Sequence, residues 1–366
     1  MLLGSFAPSL LTFRAPLIKA LVARGYEVIA VAPGIDATLT DQLRVLGASA
    51  RDVSLGRASL NPRKALRTRG DLARLFRALA PDTVIAYTIT PIVLGAPAAA
   101  AAGVPNFVPL VTGLGYAFTG GWEPKRLLSR AAATLLYWRA FRASRIAIFQ
   151  NKDDRAEFRR LRLLPRTLPT AVVRGSGVDL SHYTPEPVPH AISFLMIARF
   201  LKDKGLREFG AAAARLKEVH PHVPIRLVGW LDQSPDAISA DDLARVEAAG
   251  VEVIGRLADV RPAIAEHSVY VLPSYREGTP RSVLEAMALG RAVITTDAPG
   301  CRDTVEHGVN GLLVPPRDAD ALHRAMLRFI QEPGLAQIMG RRSRERAEQL
   351  YDADRVSADL LDHAGL

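Results

Sequence analysis

The run Ser274–Gly290, SYREGTPRSVLEAMALG, decides how this chain folds. It follows the apolar, β-branched segment Val269–Pro273, a pattern typical of a buried strand that ends at a proline. Beyond a short loop, apolar residues recur near helical spacing from Val283 to Leu289. A strand that passes through a short loop into a helix is the repeating unit of a parallel α/β sheet. The run therefore predicts an α/β fold.

The same run carries the groups of an anion-binding site. The first backbone N–H groups of a helix have no partner within the helix, and they attract anions such as phosphate. Pro280 donates no N–H. The donors that remain are on Gly278, Thr279, Arg281 and Ser282. Glu277 in the loop and Glu285 in the helix can accept hydrogen bonds from paired hydroxyls, so the arrangement suits a nucleotide sugar.

The spacing of these residues resembles a known signature. Glu277-x7-Glu285, followed by AMALGRAVI up to Ile294, is similar to the donor site of retaining family-4 glycosyltransferases. The later runs PGCRD (Pro299–Asp303) and GVNGLLV (Gly308–Val314) resemble that family too. The resemblance implies the GT-B fold, in which two Rossmann-like domains face each other across a cleft.

The chain of 366 residues is long enough for two domains, and strand and helix patterns alternate along it. We predict an N-terminal Rossmann-like acceptor domain over 1–180 and a proline-rich linker over 181–190. A C-terminal Rossmann-like donor domain follows over 191–350. The resemblance implies that the last helix, 351–366, returns to the N-terminal domain.

Charge is distributed unevenly along the chain. Residues 1–179 carry 25 Lys and Arg against 11 Asp and Glu, a balance of +14, and the remainder carries 22 against 26, a balance of −4. This asymmetry indicates that the first half faces something anionic. The single cysteine, Cys301, excludes an internal disulfide and fits a reducing compartment. No zinc-ligand spacing or RNA-binding aromatic pattern is present, so nucleic acid is not an expected partner.

Two apolar stretches could be mistaken for targeting or membrane segments. The opening MLLGSFAPSLLTF lacks a basic region, so we read Leu2–Leu3 as the end of a strand and not as part of a secretory signal. The stretch Thr83–Trp122 has no charge, but prolines and glycines interrupt it. We therefore interpret it as strand, helix and strand, and not as a membrane span.

Other donor-side residues follow from the resemblance. The run RFLKDKG has Arg199 and Lys204 at the R-x4-K positions that hold the donor diphosphate in that family, with Lys202 as a competing, more exposed cation. Two fixed cations stabilise the charge that a departing diphosphate develops. The catalytic candidates are thus Arg199, Lys204 and Glu277. The resemblance also places the nucleobase at Gly255, Arg256 and Leu257, and the glycine-bearing phosphate loop at Gly4 and Ser5.

On the acceptor side the residues leave the choice open. The first histidine is His182, so no histidine of the first domain can serve the reaction. The remaining candidates are Thr88, Thr90, Thr112 and Tyr116. The aspartate pairs Asp318/Asp320 and Asp352/Asp354 match a metal motif, but each opens a helix pattern, so we interpret them as caps. We expect no metal and no cofactor, with a UDP-sugar as the donor substrate.

A basic helix is predicted over Glu123–Arg145. It mixes arginines with Trp138, Tyr137, Phe141 and leucines, a composition that can lie among lipid headgroups or can form a core helix with solvated arginines. The runs YTITP and TGLGYAF resemble bacterial enzymes that glycosylate undecaprenyl-diphosphate-linked sugars. This resemblance favours an anionic membrane surface as partner, and a cytoplasmic protein held on the inner face of the plasma membrane.

Together with these patterns, the resemblance implies a metal-independent, retaining glycosyltransferase, a hexosyl- or N-acetylhexosaminyl-transferase. It would move a sugar from a UDP-sugar to a polyprenyl-diphosphate-linked glycan during bacterial surface polysaccharide assembly. Two enzyme alternatives stay open: a GT-B transferase with a soluble acceptor, or a UDP-sugar epimerase of similar fold. The non-enzyme alternative is a module that binds an anionic surface or nucleic acid, and it rests only on the basic first half.

Overall fold

The computed structural model describes residues 1–55, 62–114, 124–231, 234, 236–332 and 334–366. Its strands are β1 (Leu2–Leu3), β2 (Val28–Ala32), β3 (Ala48–Asp52), β4 (Thr83–Tyr87), β5 (Asn106–Val111), β6 (Ala147–Phe149), β7 (Thr170–Val172), β8 (Phe194–Phe200), β9 (Ile225–Leu231), β10 (Glu252–Ile254), β11 (Val269–Leu272), β12 (Ala292–Thr296) and β13 (Gly311–Val314). Its α-helices are α1 (Ser9–Thr12), α2 (Ala15–Ala23), α3 (Ala37–Val45), α4 (Pro62–Leu79), α5 (Ile89–Ala102), α6 (Pro124–Arg142), α7 (Lys152–Arg160), α8 (Leu206–Val219), α9 (Ala240–Ala248), α10 (Arg261–Ala265), α11 (Arg281–Ala288), α12 (Ala319–Gln331), α13 (Leu335–Leu350) and α14 (Ala353–Ala364).

The chain divides into two compact units. The first consists of Met1–Ser176 together with Ala353–Leu366, and the second of Gly177–Asp352. The predicted linker, 181–190, lies inside the second unit. Its prolines predicted a linker, but Tyr183 is buried there and Glu186 N–H bonds to the Leu289 carbonyl. Proline content alone thus did not reveal how this segment packs.

The first unit is built on a parallel sheet in the order β3-β2-β1-β4-β5-β6-β7. Helices cover both faces because the strands other than the edge strand β3 are largely apolar and their side chains need burial on both sides. The tail helix α14 belongs to this unit: Leu360 and Leu361 join the core beside α2, and Arg24 of the loop after α2 bonds to Asp362 at 2.8 Å. The uncharged stretch is strand, helix and strand as predicted, over its described residues.

The second unit repeats the same plan with a sheet in the order β10-β9-β8-β11-β12-β13. Every neighbouring pair is parallel, with Val269 opposite both Phe194 and Ala292. Strand β8 extends to Phe200, so Arg199 lies near the end of the strand and Lys204 in the loop after it. Both sheets have the doubly wound order of Rossmann folds, and the predicted α/β fold of two Rossmann-like domains is confirmed.

No helix within the described part of the chain is long and apolar enough to cross a bilayer. The helix predicted over Glu123–Arg145 corresponds to α6, and Glu123 lies outside the described residues. Tyr137 and Phe141 of this helix are buried in an aromatic cluster with Phe158, at ring-centroid distances between 5.1 and 5.8 Å. These two side chains therefore belong to the core and cannot reach a membrane.

Candidate active site

The order of the second sheet locates the candidate site. Strands β8 and β11 are neighbours. From β8 the chain continues to β9 on one side, and from β11 it continues to β12 on the other side. Ligands of doubly wound folds bind outside the carboxyl ends of the strands at such a point, because the two connections diverge there. The loops that leave these ends are residues 201–205 and 273–280. They carry two of the predicted catalytic residues, Lys204 and Glu277.

Lys204 and Glu277 form the central contact of the site. The Lys204 ammonium lies 2.5 Å from Glu277 Oε1, and each side chain is only 15% exposed. Ser274 donates a second hydrogen bond to Glu277 Oε1, at 2.8 Å. Burial lowers the pKa of Lys204, but the Glu277 and Asp203 carboxylates outweigh it, so the pKa lies above its usual value. Lys204 is therefore a fixed positive charge, while Lys202 is exposed as predicted.

Two glycines hold these loops close together. Gly205 has φ +73°, and a Cβ there would lie 2.2 Å from the Pro273 carbonyl oxygen. Gly300, in the PGCRD run, has φ +77°, and a Cβ there would lie 2.2 Å from the carbonyl oxygen of Glu277. Both positions need a left-handed backbone and no side chain. The close approach of three chain segments fixes the loop that presents Glu277.

Arg199 stands near the carboxyl end of β8, on the side of the sheet where all these strands end. We call this side the carboxyl edge of the sheet. Its side chain is exposed, and its charge acts on the pKa of Lys204 and of Asp203. Burial raises the pKa of the Asp203 carboxyl, and the neighbouring cations partly offset this. The structure thus brings Arg199, Lys204 and Glu277 together at one sheet edge.

Trp230 is a residue of this edge that the sequence reasoning missed. It is paired across strands with Arg199, is 41% exposed, and has the Arg256 guanidinium over its ring at 5.0 Å. Trp230 thus lies between Arg199 on β8 and the predicted base segment Gly255–Leu257, which follows β10 on the other side of β9. An exposed tryptophan at the end of an otherwise buried strand was the available signal.

Glu285 lies one turn inside α11, which begins at Arg281. The carboxylate is buried, with 8% of the residue exposed. Arg281 Nε bonds to its Oε1 at 2.8 Å, and the Tyr183 hydroxyl bonds to the same oxygen at 2.9 Å. Arg281 therefore contributes its side chain to holding Glu285. Gly278, Thr279 and Ser282 stand before and within the first turn of the helix.

The first sheet has a corresponding position between β1 and β4, two neighbouring strands from which the chain continues in opposite directions across the sheet. We call such a position the switch point of a sheet. Ser5 follows β1, Thr88 follows β4, and their hydroxyl oxygens lie 2.8 Å apart. Thr88 has φ +68°, a backbone conformation that costs a non-glycine residue energy and is often found at functional sites. A Cβ on Gly4 would lie 2.3 Å from the Tyr87 hydroxyl oxygen, so Gly4 packs directly on that ring.

The other acceptor-side candidates are located by the elements that carry or precede them. Thr90 lies in the first turn of α5, beside Thr88. Thr112 follows β5, the next strand of the sheet, so it stands on the same edge. Tyr116 lies outside the described residues. The structure thus places Thr88, Thr90 and Thr112 at one end of the first sheet.

The two aspartate pairs lie at the starts of helices, and Asp318 caps one of them. Asp318 accepts a hydrogen bond from Ala321 N–H at 2.8 Å at the start of α12, and Asp354 lies in the first turn of α14. Among the described residues, no three His, Cys, Asp or Glu side chains cluster as metal ligands would. The Cys301 thiol is buried, and burial raises its pKa to about 12, so it is not a thiolate.

Comparison with known proteins identifies the chain. The description "Glycosyl transferase 4-like domain" matches residues 12–175, and "Glycosyl transferases group 1" matches residues 191–332. The N,N'-diacetylbacillosaminyl-diphospho-undecaprenol alpha-1,3-N-acetylgalactosaminyltransferase of Campylobacter jejuni is 30% identical, over 96% of this chain and 94% of that protein. The chain belongs to the group 1 and 4-like glycosyltransferases. The family predicted from the Glu277-x7-Glu285 run is confirmed.

Two further relatives extend the comparison of this glycosyltransferase. The capsular polysaccharide biosynthesis glycosyltransferase CapM of Staphylococcus aureus is 27% identical over 45% of this chain and 43% of its own length. The crystal structure of Anabaena HepE in complex with UDP and glucose superposes with a TM-score of 0.80. It covers 100% of this chain and 98% of HepE at 19% identity, a likeness that shows the shared fold.

Proposed function

We propose that this glycosyltransferase moves a hexose or N-acetylhexosamine from a UDP-sugar to a polyprenyl-diphosphate-linked glycan, in bacterial polysaccharide or glycan assembly. The observation that carries this proposal is the likeness to the Campylobacter jejuni enzyme over almost the whole of both chains. The printed name of that relative gives it an undecaprenol-diphosphate-linked acceptor and an N-acetylgalactosaminyl group to transfer. The name of CapM supports polysaccharide assembly as the setting.

The geometry of the second unit supports the donor half of the proposal. Lys204 is held as a buried cation by Glu277, and Arg199 stands on the same edge. A nucleoside diphosphate that leaves a sugar gains negative charge on its phosphate oxygens, and such cations stabilise that charge in the transition state. Glu285 then accepts hydrogen bonds from the ribose hydroxyls, and Glu277 accepts hydrogen bonds from the hydroxyls of the sugar. Binding of UDP by HepE is consistent with a UDP-sugar donor.

Retention of configuration is part of the proposal. Two groups are needed: one to stabilise the leaving diphosphate and one to take the acceptor's proton. Lys204 and Arg199 serve the first. We assign the second to an oxygen of the departing phosphate itself, since the first histidine of the chain is His182. Thr88, Thr90 and Thr112 position the acceptor. Product analysis by NMR would show an α-linkage from an α-linked donor.

Metal independence follows from the same cations, because they replace a divalent ion at the leaving group. EDTA should therefore leave the transfer rate unchanged. Loss of activity on EDTA treatment, with recovery on adding magnesium or manganese, would contradict this part of the proposal.

The decisive experiment is a donor and acceptor screen. The purified protein would be incubated with UDP-GalNAc, UDP-GlcNAc or UDP-glucose, with and without a synthetic polyprenyl-diphosphate-linked saccharide. UDP release and the mass of the extracted lipid would be measured. We expect release of UDP and one added sugar on the lipid with one donor. Transfer to the same saccharide without lipid would favour a soluble acceptor, and conversion of the UDP-sugar alone would favour an epimerase.

Attachment to an anionic membrane surface is the last part of the proposal. The later half of α6 exposes leucines and a tryptophan among arginines: Leu135, Leu136, Trp138, Arg139 and Arg142. The Arg142 guanidinium lies over the Trp138 ring at 4.7 Å. Each basic residue near an anionic bilayer contributes on the order of 1 kcal/mol, and apolar side chains add insertion. Cytoplasmic, peripheral localisation on the inner face of the membrane follows.

Vesicle sedimentation tests this attachment. The protein should sediment with phosphatidylglycerol vesicles at low salt and much less with phosphatidylcholine vesicles or at high salt. The double variant Arg139→Glu/Arg142→Glu should stay in solution. Arg341→Glu/Arg342→Glu, on the exposed side of α13, is the matched control with the same change of charge. Equal release by both pairs would mean that net charge alone, and not α6, attaches the protein.

A further inference from the structure

The segment that enters the second unit carries a buried tyrosine hydroxyl aimed at the candidate site. Tyr183 is 7% exposed, and its hydroxyl donates a hydrogen bond to Glu285 Oε1 at 2.9 Å. The two residues are 102 positions apart in the sequence. The rest of the aromatic ring is part of the apolar core of the unit, so packing alone would be served equally well by phenylalanine.

The surroundings of Tyr183 fix the hydroxyl in place. Arg344 Nη1 donates to the Tyr183 carbonyl at 2.8 Å and to the Ala288 carbonyl at 2.8 Å, which ties the tyrosine backbone to the end of α11. Arg291 Nη1 donates to the Glu186 carbonyl at 2.9 Å from the other side. The tyrosine is thus anchored to the same helix that carries Glu285.

The protonation state of Tyr183 makes it a permanent donor. Burial raises the pKa of the phenol well above its usual value, and the neighbouring Glu285 carboxylate raises it further. The hydroxyl therefore keeps its proton at neutral pH and can donate it to a hydrogen bond. Arg281 Nε donates to the same oxygen, so Oε1 of Glu285 accepts two fixed bonds. The carboxylate cannot rotate without breaking both bonds, and Oε2 is the oxygen that neither bond uses.

We propose that Tyr183 is a positioning residue for donor recognition: it orients Glu285 so that the second carboxylate oxygen accepts the ribose hydroxyls of the nucleotide. This inference rests on the proposed function, because it takes Glu285 as the ribose-binding group. A carboxylate held by two donors loses no rotational freedom when the ligand binds, so the bond to ribose is stronger.

The experiment compares UDP with 2′,3′-dideoxyuridine diphosphate, which lacks the ribose hydroxyls. Dissociation constants of both would be measured by calorimetry for the native protein, Tyr183→Phe and Glu285→Gln. Tyr351→Phe is the matched control, since Tyr351 is also a buried tyrosine but its hydroxyl donates to the Asp303 carbonyl at 2.6 Å. We expect Tyr183→Phe to weaken UDP binding about 3- to 10-fold, the value of one lost hydrogen bond, and to leave the dideoxy analogue unaffected.

The possible outcomes separate this inference from the proposed function. If Glu285→Gln leaves the preference for UDP over the analogue intact, the ribose assignment itself fails. If Glu285→Gln removes that preference and Tyr183→Phe preserves it in full, Tyr183 is only a packing residue and the inference is overturned. A loss of thermal stability that is shared by both phenylalanine variants does not change the ratio of the two affinities, so a structural effect cannot imitate the expected result. Tyr183→Phe combined with Glu285→Gln should show no further loss.

Discussion

The two units share one sheet order and differ in what stands at its switch point. In the first unit, strands β1 and β4 end in hydroxyls, with Ser5 bonded to Thr88. In the second, β8 and β11 end in charges, with Lys204 bonded to Glu277. The topology decides where a ligand binds, and the side chains at the strand ends decide its chemistry. Charges suit a diphosphate, and hydroxyls suit a sugar acceptor.

The largest expected effect comes from removing the charge at the second switch point. Lys204→Met should lower kcat by about 10²- to 10³-fold, because it removes one of the two cations that we propose stabilise the leaving diphosphate. Lys202→Met, two residues away and exposed, is the control and should keep the native rate. Steady-state kinetics with the accepted UDP-sugar measures both. The assignment of the cation fails if the Lys202 variant is the inactive one.

A second prediction concerns the buried arginine of the second unit. Arg291 is 1% exposed and donates to the carbonyls of Ile264, Ala265 and Glu186. Arg291→Met would leave these acceptors without their donors, and should reduce the free energy of unfolding by about 3 kcal/mol. Burial lowers the pKa of Arg291 to about 10, but it remains charged at neutral pH.

Urea denaturation of Arg291→Met beside Arg342→Met provides the test. Arg342 is exposed on α13, so its replacement should change stability by less than about 0.5 kcal/mol. Equal losses in the two variants would show that the three carbonyl bonds contribute little.

A third prediction sharpens the contrast by removing one charge without changing the fold. Glu285→Gln preserves the volume of the side chain but removes the charged acceptor. UDP binding should weaken by about 1.5–3 kcal/mol, the range for a hydrogen bond to a charged group. Calorimetry against Glu252→Gln, an exposed carboxylate on β10, checks the effect. UDP affinity that is equal in both variants would remove Glu285 from the donor site.

The smallest expected effect lies at the first switch point. Thr88→Gly removes the hydroxyl that bonds to Ser5 but also relieves the positive φ, so unfolding free energy should change by less than about 1 kcal/mol. UDP affinity should stay native while transfer to the acceptor falls. Thr88→Ser retains the hydroxyl and should retain transfer. A Thr88→Gly variant that binds UDP poorly would show that Thr88 serves the donor through Ser5, and not the acceptor.

The sequence predicted the fold well where local patterns repeat. The strand, loop and helix from Val269 to Leu289 are in the structure, because buried parallel strands are continuous apolar runs and their helices have a clear apolar stripe. The family was recognisable from one run of residues. The ends of strands were less predictable. Strand β8 continues through Arg199, since a charged residue at the carboxyl end of a strand can still make the backbone hydrogen bonds of the sheet.

Contacts between distant positions were not predictable from local patterns. Tyr183 lies in a proline-rich segment that suggested an exposed linker, and only the fold shows its bond to Glu285. Arg291 is buried although arginine is usually exposed, and Trp230 joins Arg199 through a strand pairing that no spacing encodes. The placement of Lys204 beside Glu277 was implied by the family resemblance, and not by their separation of 73 residues.

The close packing of Gly205 and Gly300 has a consequence for protein engineering. A mutant library aimed at new donor sugars would vary the side chains of the loop between Pro273 and Pro280, since this loop carries Glu277 of the proposed donor site. It would have to leave the two glycines unchanged, because any Cβ there would strike a loop carbonyl at 2.2 Å. In a deep mutational scan the two positions should therefore tolerate no substitution, alanine included, whichever sugar the selection favours.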